Sequence, residues 1–282
     1  MSKNWKSINC KGRLIDFEIP KVMGIINVTP DSFYDGGTNF EVEKAVDSAA
    51  QMLLEGASFL DIGGYSSRPG ADDISVEEEA GRVLPVIEAI LKEFPEALIS
   101  IDTFRSEVAR QAIDAGAAII NDISGGHLDQ NMLQTVAALQ VPYIMMHMRG
   151  TPQTMKTLTD YDHLIRDIKS YFATQLHSAK ALGINDVIID PGFGFAKTVE
   201  QNYALLDQLE LLRALDCPIL AGVSRKSMIY RTLESSAAEA LNGTTALNAW
   251  ALDRGAAILR VHDVAPAVEC VKLHQALIES RD

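Results

Sequence analysis

Eight short apolar runs set the frame for this chain. They occupy residues 22–28, 59–64, 98–103, 117–123, 142–148, 187–193, 218–224 and 257–263, and are nearly continuous rather than alternating. Strands buried on both faces of a parallel sheet read this way. Each run precedes a segment of helical periodicity: 41–57, 75–94, 106–116, 128–140, 160–183, 198–215, 238–255 and 265–280. In the first of these, Val42, Ala45, Val46, Ala49, Met52 and Leu53 share one face. Ser75 with Glu78, and Thr198 with Gln201, have the spacing of a capping box. Eight strand–helix units in roughly 260 residues predict an α/β fold, the (β/α)8 barrel. The doubly wound alternative often carries G-x-G-x-x-G after its first strand, and this chain has none there. No linker-like stretch divides the 282 residues. A single domain over 1–282 is therefore expected, with residues 1–20 as a hairpin closing the barrel bottom.

Barrels of this kind carry their chemistry at the C-terminal ends of the strands. The runs end on Asn27, Asp61, Asp102, Asn121 with Asp122, His147, Asp190, Ser224-Arg225-Lys226, and Arg260 with His262. Singly, each reads as a cap, a turn residue or a structural histidine. A polar group at all eight ends points to a site. Aspartate beside asparagine offers acceptors and donors in one plane, which suits the 2-amino-4-oxo edge of a pterin or guanine. Arg260 and His262 alternate along one strand and so face one side. Both suit an anionic leaving group, with arginine forking onto phosphate oxygens. Ser227 begins the segment after the seventh run, where a backbone N–H can receive a carboxylate or phosphate. Three connections, 29–40, 65–75 and 148–159, are long enough to suggest functional loops. The chain has no nucleophile elbow, phosphate-binding P-loop or H-E-x-x-H. A substitution driven by positioning and leaving-group neutralisation fits better than covalent catalysis.

Composition narrows the partners. A net charge of −13 argues against a nucleic-acid or anionic-membrane surface. Cys10, Cys217 and Cys270 lie far apart, which suits neither a disulfide framework nor a zinc site. The first residues show no signal-peptide core and no run reaches membrane-span length, so a cytoplasmic location is expected.

Two blocks, GIINVTPDSFYDGG (24–37) and DIGGYSSRPGA (61–71), resemble the first two sequence blocks of the dihydropteroate synthases. SIDT, NDISGG, MHMRGTP, DPGFGF, GVSRKS and RVHD resemble the remaining blocks, in order, so that the likeness spans residues 22–263. The resemblance implies a (β/α)8 barrel, usually a homodimer, that uses Mg2+. The reaction it implies joins 6-hydroxymethyl-7,8-dihydropterin pyrophosphate to p-aminobenzoate, giving 7,8-dihydropteroate and pyrophosphate. It also implies inhibition by sulfonamides. By matching position, Asp102, Asn121, Asp190, Lys226 and Arg260 would hold the pterin, with Met146 and Phe195 as apolar walls. Phe33, Ser67, Arg68, Pro69, Phe195 and Ser227 would enclose p-aminobenzoate. Asn27, Arg68, Arg260 and His262 would lie near pyrophosphate, with Asn27 the protein ligand of Mg2+. The catalytic set would be Asp102, Lys226, Arg260, His262 and the loop carboxylate Asp35.

One departure stands out. The family's second block usually reads Glu-Ser-Thr-Arg-Pro-Gly, whereas this chain has Tyr65-Ser66-Ser67-Arg68-Pro69-Gly70. Loss of that acid predicts altered loop packing and altered sulfonamide affinity. Two rival readings share much of the strand-end pattern. A methyltetrahydrofolate-dependent corrinoid methyltransferase would not need the TPDSF and SRPG loops, and a catalytically silent pterin-binding relative is separated only by turnover.

Overall fold

A computed structural model describes residues 7–28, 38–66 and 73–281. The described chain opens with an antiparallel hairpin, β1 (Ser7–Cys10) and β2 (Arg13–Asp16). Lys11 and Gly12 both take positive φ, 54° and 81°, as a two-residue turn matched to strand twist requires. Eight parallel strands follow: β3 (Lys21–Asn27), β4 (Phe59–Gly63), β5 (Ile99–Asp102), β6 (Ile119–Asp122), β7 (Tyr143–Met146), β8 (Val187–Asp190), β9 (Leu220–Ala221) and β10 (Ile258–Val261). They pair in the order β8-β7-β6-β5-β4-β3-β10-β9. A parallel bridge between Ile189 and Ile219 joins the two ends, with Ile189 N–H donating to Pro218 C=O at 3.0 Å. This is the closed eight-stranded barrel that the alternation of runs predicted.

The surrounding helices are α1 (Thr38–Leu54), α2 (Val76–Glu93), α3 (Ser106–Asp114), α4 (Met132–Leu139), α5 (Leu164–Ala181), α6 (Val199–Asp207), α7 (Ser227–Thr232), α8 (Leu241–Asp253) and α9 (Val264–Glu279). Thr198 and Gln201 form the full reciprocal capping box of α6. At α2, Ser75 Oγ accepts the Glu78 N–H at 3.1 Å. Two details differ from the periodicity. The expected helix 198–215 stops at Asp207 and continues as a 3-10 helix, Leu209–Leu215. There Leu209 and Leu212 are both buried, and a three-residue spacing aligns side chains on a 3-10 helix better than on an α-helix. The short α7 was not visible as a helical period, because six residues span less than two turns.

The barrel divides its side chains by the strand period of two. Leu60, Ile62, Ile99, Ile101, Ile120, Tyr143, Met145, Val187, Ile189, Leu259 and Val261 join the core between sheet and helices. Met23, Phe59, Ile119, Ile144, Ile188, Leu220 and Ile258 instead form an inner cluster with Ile8, Cys10 and Phe17 of the hairpin segment. That apolar plug seals the N-terminal end of the barrel. Gly24 lets α1 close on β3, since a Cβ there would lie 2.6 Å from Met52 Sδ. Toward the C-terminal end the inward positions become polar, and this is where the site lies. Among the described residues, no helix is long and apolar enough to cross a membrane.

Candidate active site

Asp61, Asp102, Asn121, Asp190 and Arg260 occupy inward positions on five different strands. Arg260 is the hub. Its Nε donates to Asp61 Oδ2 at 2.5 Å, and a terminal nitrogen donates to Asp102 Oδ2 at 2.6 Å. Asn121 Nδ2 donates to the same Asp61 oxygen at 2.9 Å. Asp61 is fully buried, and its Oδ1 has no hydrogen-bond partner among the described residues. A buried carboxylate is tolerated only when its charge is answered, and Arg260 and Asn121 supply that answer. Burial lifts the Asp102 carboxyl to about 7, against the pull of Arg260 and with the further push of Asp61. Arg260 is held well above the ordinary arginine range by Asp61 and Asp102, against its burial.

Asp190 and Lys226 form the other half of the pocket. Burial raises the Asp190 carboxyl, while Lys226 and the Gly192 N–H, which donates to its Oδ1 at 2.7 Å, oppose the rise. Burial brings Lys226 down to about 8. The Lys226 ammonium donates to the Phe193 carbonyl and lies 4.8 Å from the ring centroid of Phe195. Met146 is buried in an apolar cluster packed with Phe195. At the rim, the half-buried Asn27 ends β3 in register with Gly63. The exposed His262 has its Nδ1 3.0 Å from Ser224 Oγ. Ser227 is the first residue of α7. The pocket thus joins carboxylate acceptors, an amide and two half-buried cations at one end of the barrel. Such a set can read the donor–acceptor edge of a heterocycle and neutralise an anion beside it.

The sequence matches the pterin binding enzyme family over residues 23–262. A dihydropteroate synthase of Synechocystis sp. is 46% identical over 259 residues, covering 91% of this chain and 89% of that relative. The chain belongs to the dihydropteroate synthase family. Membership makes it an enzyme of the transferase class. A solved dihydropteroate synthase of Xanthomonas albilineans with 4-aminobenzoic acid superposes with a TM-score of 0.90 at 41% identity, covering 97% of this chain and 98% of that one. That of Yersinia pestis in complex with a sulfonamide drug gives 0.91 at 39% identity, covering 97% and 100%.

In this member of the synthase family, the strand period also separates site from scaffold. Asp122, the last residue of β6, and His147, just past β7, point away from the barrel interior. Asp122 accepts from Ser124 N and Oγ, both at 2.7 Å, from Gly126 N at 2.8 Å and from Tyr143 Oη at 2.7 Å. The His147 ring stands edge-on to Tyr171, and burial pushes its pKa down to about 2. Arg225 is committed to a two-pronged ion pair with Asp263, 2.8 Å on each prong. These three hold the scaffold, although their positions in the sequence resemble those of the site residues.

Two residues carry more than their sequence context suggested. Asp61 is the buried counter-charge of Arg260; its inward phase on β4 places it in the site, but nothing local names its partner. Lys197 is 8% exposed. Its ammonium reaches Gly192 C=O at 3.0 Å, Phe195 C=O at 3.1 Å and His147 Nδ1 at 3.1 Å, tying the turn after β8 that bears Phe195. That turn approaches β7 so closely that a Cβ on Gly192, at φ 72°, would meet the His147 carbonyl oxygen at 2.2 Å. Phe33, Asp35, Ser67, Arg68 and Pro69 lie outside the described residues.

Proposed function

We propose that the protein condenses 6-hydroxymethyl-7,8-dihydropterin pyrophosphate with p-aminobenzoate, forming 7,8-dihydropteroate and releasing pyrophosphate. The observation that carries this reading is the inward polar layer, Asp102, Asn121, Asp190, Lys226 and Arg260, gathered at one end of the barrel. In this reading Asp190 accepts the two N–H groups of the pterin edge, Asn121 lies beside it and Lys226 donates to the ring carbonyl. Met146 and Phe195 give apolar walls. Phe195 and Ser227 flank p-aminobenzoate, together with Phe33, Ser67, Arg68 and Pro69. Arg260, His262, Asn27 and Arg68 receive the pyrophosphate, and Asp35 lies near the reacting centre.

The bond between the pterin methylene and oxygen breaks first, and pyrophosphate leaves with the electron pair. Arg260 and His262 offset the charge that develops on it. Ionised Asp102 favours the cationic pterin left behind. The aniline nitrogen then donates its lone pair to the methylene, and the new C–N bond is neutralised by loss of one aniline proton. Mg2+ fits the donor set. Asn27, half-buried where β3 ends at the mouth of the barrel, would offer it a single hard oxygen. Because Mg2+ dehydrates reluctantly, Asn27 would be its one protein ligand, with phosphate and water oxygens left to complete the shell. When bound, it supplies neutralisation of the leaving pyrophosphate.

Two further assignments belong to this reading. Large apolar side chains stay exposed on α8 and α9, Trp250, Leu273 and Leu277, and exposed apolar surface of this kind suits burial against a second copy. A single-chain mass of 30.7 kDa by light scattering removes the homodimer. Buried thiols at Cys10 and Cys270 suit a reducing, cytoplasmic location, which periplasmic recovery on cell fractionation would refute.

The deciding assay follows pyrophosphate release with the pterin pyrophosphate, p-aminobenzoate and Mg2+ present, then with each omitted. Release is expected only with all three, and a sulfonamide should block it. Tight binding of the pterin pyrophosphate without product would instead mark a silent relative.

The pocket also sets a pH profile. Asp102 must be ionised to favour the cationic pterin, so activity should rise as pH climbs through about 7. Lys226 must be protonated to donate, so activity should fall as pH climbs through about 8. The expected kcat/KM for the pterin pyrophosphate is a narrow bell, which reports groups of the free enzyme. In Lys226→Arg the alkaline limb should vanish. If it persists there, that limb belongs to another group.

A further inference from the structure

Tyr65 lies two residues beyond the end of β4. Its ring meets Phe104 edge-on, with centroids 5.0 Å apart. The guanidinium carbon of Arg105 lies 5.2 Å from the same centroid. Its hydroxyl accepts the Gln153 side-chain N–H at 3.1 Å. Phe104 and Arg105 belong to the connection between β5 and α3, and Gln153 to that between β7 and α5. One side chain therefore ties three strand–helix connections at the mouth of the barrel.

The electrostatics explain why an uncharged ring suits this place. Arg105 already donates to Glu79 Oε2 at 2.8 Å and to Asp73 Oδ1 at 3.0 Å, and it also donates to the Ser75 carbonyl at 3.1 Å. Glu79 is fully buried. A carboxylate at position 65 would be the third acid around one guanidinium. An aromatic ring takes the face of that cation without adding charge. Phe104 in turn packs against the apolar cluster of Met146, Met148 and Met155, which also carries Phe195. Continuous packing thus runs from Tyr65 to Phe195.

We propose that Tyr65 is a positioning residue that sets discrimination among aryl amines. By holding the β4 connection to Gln153, it fixes the aromatic wall that ends in Phe195. This inference rests on the reading of the site as one that binds p-aminobenzoate. Planar carboxylate and tetrahedral sulfonyl groups differ in shape, so a displaced wall should affect the two ligands unequally.

The test compares wild type, Tyr65→Phe, Gln153→Ala and the double variant. It measures kcat, both KM values and the inhibition constant of a sulfonamide. Losing one neutral hydrogen bond should raise KM for p-aminobenzoate about three- to tenfold. The value of kcat and the KM for the pterin pyrophosphate should stay within about twofold of wild type. The double variant should lose no more than Tyr65→Phe alone, because that change already removes the bond to Gln153. The ratio of sulfonamide inhibition constant to p-aminobenzoate KM should move at least about threefold, and in Tyr65→Glu further still. Additive losses, a fall in kcat matching the rise in KM, or an unchanged ratio in both Tyr65 variants would overturn the inference. A wild-type protein that forms no dihydropteroate would overturn the functional reading and this inference together. An active wild type matched by its variants overturns the inference alone.

Discussion

Methionine in place of Arg260 should leave a weakened fold and no measurable synthase turnover. The guanidinium answers two carboxylates at once, Asp61 at 2.5 Å and Asp102 at 2.6 Å. Asp61 is fully buried, whereas Asp102 keeps about a fifth of its side chain exposed. Removing one partner of a buried ion pair costs about 3–5 kcal/mol, because the remaining charge is stranded. We expect the lower end, about 3 kcal/mol, since Asp61 retains the Asn121 bond at 2.9 Å. The loss should also depend on pH. Arg260 is the main group holding the Asp102 carboxyl down, so its removal drives that pKa above about 7. A carboxyl raised in the folded state keeps its stability below the unfolded pKa and loses it as pH rises through the folded one. The variant should therefore recover part of its deficit on going from pH 8 to pH 5. Urea unfolding at both values checks this. A deficit that is equal at the two pH values, or absent, would mean that the pair is not what holds these acids in place.

Asp190→Asn and Asp102→Asn should separate binding from chemistry. Asp190 is read as the double acceptor for the pterin edge, and burial makes an unmatched polar contact expensive. An amide there replaces one acceptor with a donor facing a donor. Affinity for the pterin pyrophosphate should fall about 100-fold, near the upper end of the roughly 1–3 kcal/mol that an unpaired buried polar group costs. Asp102→Asn removes a charge that counts only once the methylene becomes cationic. Its kcat should fall about 100- to 1000-fold with little change in binding, as for other groups aimed at developing charge. Calorimetric titration and single-turnover rates on both variants decide the matter. Full turnover in Asp102→Asn together with lost binding in Asp190→Asn would remove the electrostatic role of Asp102.

Much of this was legible along the chain. The eight Val- and Ile-rich runs mark β3 through β10 because strands covered on both faces cannot afford polar interruptions. Their polar ends mark the mouth, because buried polar groups persist there only with partners or ligands. Even the scaffold roles of Asp122 and His147 lie within reach of local pattern. Asp122 directly follows Asn121, so the two must face opposite sides of β6. What hid this was the uncertainty of one residue in where each run ends, since a shift of one inverts every facing.

Other features had no local signal. The charge of Arg260 is balanced by acids 199 and 158 residues away, and nothing in the sequence around any of the three announces the pairing. Barrel closure and strand register create it by placing β10 beside β3 and setting Asp61 and Asp102 on the same inner surface. The tie from Tyr65 to Gln153 spans 88 residues in the same way. The sequence alone determined the kind and order of elements, because hydrophobic period is a local property of the chain. Only the tertiary structure decided which charges meet, because electrostatic and packing contacts depend on distance in space, and that distance is set when the sheet closes on itself.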